Sequence, residues 1–365
     1  MIRILWGSVH LYCQGMSLFH SRLRPVSAAR PSSGLRWLLP AASSAIGAAV
    51  ALALALLPSG CALLSRQSAL TVPVSSWPGY EYFYLASQLG LDQKHGLHID
   101  PVQFADPQEI VHAYLRGDLQ LAQLTTVEVI DLCSRVPHRC PVVVLVLDES
   151  RGGDQLMVRP GLTSVAQLRG KRIGVSPSTL GPYLLSRALN QADMELRDVT
   201  IRSITLDAMP DALAQGTIDA AAIFPPFSAM AAHRADARSV FDSRQIPGEI
   251  FDVLVVEPGF LDQHRSGLVA LVRAWQAAHR LASVESEQAT ALIARRQQIS
   301  ADDVRQAQAG IVYFSLAEQR SMLEPTGLIA RNLEAVQKVQ SRLGLIAEGA
   351  PLPRVSPDVV MEALR

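Results

Sequence analysis

Several groups of polar residues stand where short apolar runs end, and their types limit what chemistry the chain can do. Asp148, Ser150 and Asp154 follow one such run, with Gly152 and Gly153 between them for backbone freedom. Carboxylates at a strand's end suit ligand N–H or ammonium groups; the alternative is a solvated turn in which Asp is the turn former. Ser176, Ser178, Thr179 and Gly181 lie between Val175 and a predicted helix. The free N–H groups of that helix end suit an oxyanion such as sulfonate, nitrate, phosphate or carboxylate, although many α/β turns of this composition hold nothing. Thr125 and Thr126 precede another helix, which they cap or whose donors they share with an anion. Ser75, Trp77 and Tyr80 follow the first predicted strand, where Trp77 is either a flat apolar wall for a ligand or a packed core aromatic.

Nothing here assembles into a familiar catalytic set. No Gly-x-Ser-x-Gly elbow occurs, and the only lysines are Lys94, Lys171 and Lys338, with Lys171 in a predicted turn. Of the four cysteines, Cys13 and Cys61 fall in the first sixty-odd residues, leaving Cys133 and Cys140. In an oxidising compartment these two form a local disulfide between a helix end and the next strand; free thiols are the alternative. A metal site with His138 lacks further ligands at zinc-like spacing, so no metal is expected. The net charge of +0 gives no electrostatic reason to expect nucleic acid or an anionic membrane surface. A hydrophobic fraction of 49% with 18% charged residues supports real cores, and 365 residues allow about two domains.

The elements that must position these residues alternate. Strands are predicted over 69–74, 97–102, 120–124 and 142–147, with helices over 81–89, 106–116 and 127–134 between them. A second unit repeats the design: strands over 156–159, 172–175, 199–205 and 220–224, and helices over 164–168, 181–190 and 209–214. Residues 253–257 read as a last strand, followed by helices over 263–295, 300–311 and 316–343. Such alternation implies parallel α/β sheets. Both halves contain a helix closed by Gly, a turn and a small-residue strand, around Gly117 and Gly216, which points to two similar lobes. Two open α/β lobes bind ligand beyond the carboxyl ends of their strands.

The first sixty residues have another character. Arg22, Arg24, Arg30 and Arg36 precede an apolar run over about 37–57, which ends at Leu57-Pro-Ser-Gly-Cys61. A basic segment, an apolar segment and small residues before a cut are the parts of a secretory signal, so residues 1–60 are expected to be a leader and the rest to be exported. Small residues before Cys61 resemble a lipoprotein signal whose thiol is acylated, although Pro58 stands where that pattern prefers an aliphatic residue. An uncleaved anchor or a plain signal is the alternative. The long prefix leaves Met1 and Met16 both open as the start.

The order of several short motifs resembles that of a known family. Trp77-Pro-Gly-Tyr-Glu81, Leu115 to Asp118, Val146 to Ser150 with Gly152-Gly-Asp154, Leu168 to Val175, Ser178 to Gly181 and Ile246 to Ile250 before Asp252 resemble periplasmic solute-binding proteins of ABC importers, of the nitrate/sulfonate/taurine and thiamine-precursor type. The resemblance spans about residues 70–345. It implies an α/β fold of two lobes, the type II periplasmic binding protein fold, with a cleft between lobes and crossings near 154–159 and 251–257. Lobe one is then 68–155 plus 256–345, lobe two 156–255, and 346–365 a C-terminal tail. Phe224-Pro-Pro-Phe227 falls where relatives often carry an aromatic followed by Glu-Pro. Here Pro225 replaces the acid, and Asp154 and Asp252 are left to compensate for it at an amine ligand. The resemblance also implies a monomer without cofactor or catalysis, whose partners are a small-molecule ligand, the permease subunits and, through Cys61, a membrane. A receptor-linked sensor would have the same fold and cleft.

Overall fold

Short apolar runs bounded by glycine, proline and capping residues become the elements of a two-lobed α/β protein. The computed structural model describes residues 68–365, so the leader and Cys61 lie outside the described residues. The first part runs β1 (Ser68–Val74), α1 (Glu81–Gln88), β2 (Leu97–Gln103), α2 (Pro107–Arg116), β3 (Leu121–Thr125), α3 (Thr126–Arg135) and β4 (Val142–Ser150). Local chemistry fixes several boundaries. Asp106 accepts the Gln108 N–H at 2.8 Å and Pro107 occupies the first turn of α2. Gly117, at φ 85°, closes the same helix in a conformation that side chains resist. A disulfide joins Cys133 in α3 to Cys140 ahead of β4, with Cα atoms 4.3 Å apart.

The middle of the chain builds a second sheet from β5 (Gln155–Val158), β6 (Arg172–Val175), β7 (Thr200–Ser203), β8 (Ala220–Ile223) and β9 (Arg238–Asp242), in the order β7-β6-β8-β5-β9. Its helices are α4 (Leu180–Asn190), α5 (Met209–Ala214) and α6 (Phe227–Ala235). The chain then returns to the first lobe with β10 (Phe251–Val256), α7 (Pro258–Gln263), α8 (Arg265–Val284), α9 (Ser286–Gln297), α10 (Ala301–Gln308), β11 (Ile311–Tyr313), α11 (Leu316–Met322), α12 (Leu328–Arg342), β12 (Arg354–Val355) and α13 (Asp358–Ala363). There β11, β4, β10 and β3 lie in that order, β12 pairs with β4, and β1 and β2 form a separate parallel pair. Gln123 of β3 links the two by donating to the Pro73 carbonyl at 2.8 Å.

The sheets are mixed, not parallel as the alternation implied. β10 runs antiparallel to β3 and β4, and β5 runs antiparallel to β8 and β9. The reason is the crossings: a strand that enters a lobe from the other lobe arrives at the opposite end of the sheet from one fed by a local helix. The links are residues 151–154 and 243–250, a few residues ahead of the expected positions.

Two long predicted helices are also divided, and a third is cut short. The helix over 263–295 breaks at Glu285, where Val284 is exposed and Ser286 opens a new helix. The one over 316–343 breaks at Leu323–Gly327, because Pro325 has no N–H to donate, and a side chain at Gly327 would meet the Met322 and Ser321 carbonyls at 2.5 Å. The helix over 300–311 stops at Gln308, and Ile311 begins a strand on β4. Residues 253–257 are therefore not the last strand. The segment after 345 is no loose tail, since β12 adds to β4 and α13 buries Val359 and Val360.

Candidate functional site

The carboxyl end of the first lobe's sheet carries a polar row across adjacent strands. Thr125 on β3 faces Asp252 on β10, Asp252 faces Asp148 on β4, and Asp148 faces Tyr313 on β11. Side chains from the loop after β1 close over this row. Tyr80 donates its hydroxyl to Asp252 at 2.6 Å, and the Trp77 indole N–H lies 3.3 Å from both Asp148 oxygens. This approach needs a glycine between the two aromatics, because a Cβ at Gly79 would fall 1.8 Å from Asp148 Oδ2. Trp77 also meets Phe224 of the second lobe edge-on, with ring centroids 5.5 Å apart. The two readings of Trp77 thus merge: it is packed, and it lines a cavity.

Two small adjoining cavities lie between the lobes. One is bounded by Pro107, Glu128 and Asp154 on one side and by Ser176, Ser178, Leu180, Gly181 and Phe224 on the other. The second touches Trp77, Tyr80, Thr125, Glu128, Asp154, Phe224 and Asp252. Their free volumes are about 20 and 10 Å³, room for roughly one water molecule each. The rim is latched, since Ser176 donates its hydroxyl across the cleft to Asp106 at 2.9 Å. Any organic solute therefore enters only after the lobes part.

The expected residues divide into three groups. Trp77, Tyr80, Thr125, Asp154, Ser176, Ser178, Gly181, Phe224 and Asp252 line the cavities. Asp148 lies behind them, bound to Trp77. Ser75, Thr126, Ser150 and Thr179 are buried but touch neither cavity. Ser75 accepts the Trp77 backbone N–H at 3.4 Å, and Thr179 precedes α4 without a side-chain cap bond. Ser150 sits where the two links between lobes meet: its hydroxyl pairs with Ser243 at 2.8 Å and accepts the Asp154 N–H at 3.1 Å.

Glu128 was missed, and it lines both cavities. It is the third helical residue after Thr125, and the pair forms a reciprocal capping box. Its Oε2 accepts the Thr125 N–H at 3.0 Å and the Thr125 hydroxyl at 2.9 Å. Its Oε1 is buried without a partner. The Thr-x-x-Glu spacing was the signal that could have found it.

These carboxyls share one electrostatic condition. Burial pushes Glu128 up to about 8 against the pull of the Thr125 hydrogen bonds, with Asp252 and Asp106 adding repulsion. Burial raises Asp154 to about 6. Burial raises both Asp148, against the pull of its hydrogen bonds with Asp252 and Trp77, and Asp252, where the Asp148 charge adds to the rise, so the two side chains do not ionise together at neutral pH. Among the described residues, no Lys, Arg or His lines either cavity. The nearby Arg296 is engaged by buried Glu81 and by the Ser75 carbonyl at 2.9 Å.

Comparison with known proteins places this geometry. The model of the NMT1-like family matches residues 65–296, more than half of the chain. The chain belongs to the NMT1-like family. One relative, a Brucella abortus protein named for a binding role that is not further specified, is 30% identical over 178 residues, 49% of this chain and 54% of its own length. The chain thus spans about half the length of the curated relatives it matches. Among solved structures, the alkanesulfonate-binding protein SsuA from Xanthomonas axonopodis pv. citri bound to MOPS is 17% identical, with a TM-score of 0.66 over 78% of this chain and 96% of that one. The desulfurization enzyme DszB is 21% identical, with a TM-score of 0.60 over 81% of this chain and 99% of that one. At these identities the likeness establishes the fold, the two-lobed periplasmic binding protein architecture, for this NMT1-like chain.

Proposed function

We propose that this protein captures a small solute between its lobes outside the cytoplasm and hands it to an ABC importer. The observation that carries the reading is a cavity walled from both lobes and bridged by the Ser176–Asp106 hydrogen bond. Closing such a cleft makes contacts to both lobes available only when the lobes meet, so ligand and closure stabilise each other. An enzymatic reading has the DszB likeness in its favour. Against it, the two cysteines among the described residues are joined to each other, and no lysine lines the cavities. With the links at 151–154 and 243–250, the lobes are proposed to be 68–150 with 251–365, and 155–242, and the protein to act as a monomer. Export by the leader and acylation of Cys61 belong to the same proposal. Cys61→Ser should release the protein from membranes, and a variant still anchored would exclude the lipid.

The test of capture is a thermal-shift screen of the purified protein against sulfonates, nitrate, bicarbonate, pyrimidines, thiamine and amino acids. A ligand at a hundred times its Kd adds about 2.7 kcal/mol to the folded state. One clear shift without chemical conversion of the compound supports capture. Conversion of the compound would instead establish an enzyme, and a flat response across the panel would overturn the capture reading.

A further inference from the structure

Within the proposed capture role, the walls of the cleft narrow the class of solute. Three carboxyls, Asp148, Asp154 and Asp252, come together where β4, the 151–154 link and β10 reach the cleft. Glu128 joins them from α3, and it supplies a separate observation. Its side chain is 1% exposed, it lines both cavities, and its Oε1 has no hydrogen-bond partner. A buried carboxyl oxygen without a partner is expensive unless something else completes it. Around these groups stand Trp77, Tyr80 and Phe224, whose rings accommodate an apolar body or the face of a cation.

We infer that the solute taken by this cleft carries a cationic nitrogen, an ammonium or amidinium on a small skeleton with an apolar part, seated against Glu128, Asp154 and Asp252. An alkanesulfonate, the class of solute that SsuA binds, would meet only acidic and neutral side chains here. The rival is an anion held by the N-terminus of α4 next to Ser176 and Ser178, with the carboxyls protonated. The two differ in what happens to protons. The titratable groups lining the seat are Glu128 from α3, Tyr80 from the loop after β1, Asp154 from the link and Asp252 from β10, and behind them Asp106, Asp148 and Glu149 add their charge. Burial holds Glu128 and Asp154 partly protonated near neutrality, so an arriving cation expels protons, whereas an arriving anion draws them in.

The test uses matched probes on the purified protein: benzylamine and benzamidine against benzoate and benzenesulfonate, with simple alkylammonium and alkylsulfonate pairs alongside. Calorimetry is run at pH 7 in buffers of different ionisation enthalpy. The expected result is binding by at least one cation, release of about one proton per ligand, and a tenfold or greater loss of affinity in Glu128→Gln or Asp154→Asn. The second variant guards against misfolding of the first. Binding by the anions alone, or by any probe with net proton uptake, overturns the cationic assignment while leaving capture intact. Silence from these probes together with the solute panel above overturns both.

Discussion

Asp148 answers to three neighbours at once: the Trp77 indole, Asp252 across the strands and the space left by the missing side chain of Gly79. Its burial was not legible in the sequence, where an Asp before Glu-Ser-Arg-Gly-Gly reads equally well as a solvated turn. What decided the matter was strand pairing, because only the register of β10 on β4 sets Asp252 beside it. Glu128, by contrast, was legible in its Thr-x-x-Glu spacing, and its depth in the cleft was not. A carboxyl raised from 4.5 to about 8 on folding favours the folded state only while protonated. The stability it lends is present below about pH 4.5 and is lost as pH rises toward 8. Glu128→Gln cannot lose that proton. Relative to the unsubstituted protein, it should therefore gain stability steadily between pH 5 and 8 in urea titrations. Parallel stability curves across that range would show that Glu128 is not raised.

The elements of the first half were readable because each is short and punctuated. Asp106-Pro107 opens α2 and Gly117 closes it, and period-3.6 apolar positions fill the interval. The later helices were read too long because amphipathic spacing runs through Glu285 and through Leu323–Gly327. The breaks are set by packing and by a proline whose effect the pattern alone understates. The strands β11 and β12 are too short for any periodic signal and exist because β4 offers them an edge. The disulfide belongs to this scale as well. It closes a separation of seven residues between α3 and the approach to β4, a small loop, so the Cys133→Ser/Cys140→Ser variant should lose about 2 kcal/mol. The cleft residues lie elsewhere, so ligand affinity should hold. An undiminished unfolding free energy would mean that the bond constrains little.

For the molecule as a whole, the fold class and the existence of a cleft followed from the alternation of elements and the motif order, while the mixed sheets and the latch did not. Ser176 and Asp106 are seventy residues apart in sequence and meet only because the lobes close. One hydrogen bond to a carboxylate is worth on the order of 1.5 kcal/mol, so Ser176→Ala should favour the open form about tenfold. Small-angle scattering would register a larger radius of gyration without ligand, and binding would weaken by a similar factor. Identical scattering from the two proteins would mean that the closed form is held by other contacts.

The two lobes differ in how their chain is supplied. The second sheet is built from one continuous stretch, β5 to β9, whereas β4 takes partners from β10, from β11 and from residues 354–355, all well after it in sequence. A polypeptide emerging from its N-terminus onward can complete the second lobe while the first still lacks β11 and β12. Until β11 and β12 arrive, the flank of β4 is an open strand edge, so the order in which the chain emerges and the exposure of that edge are linked in this architecture.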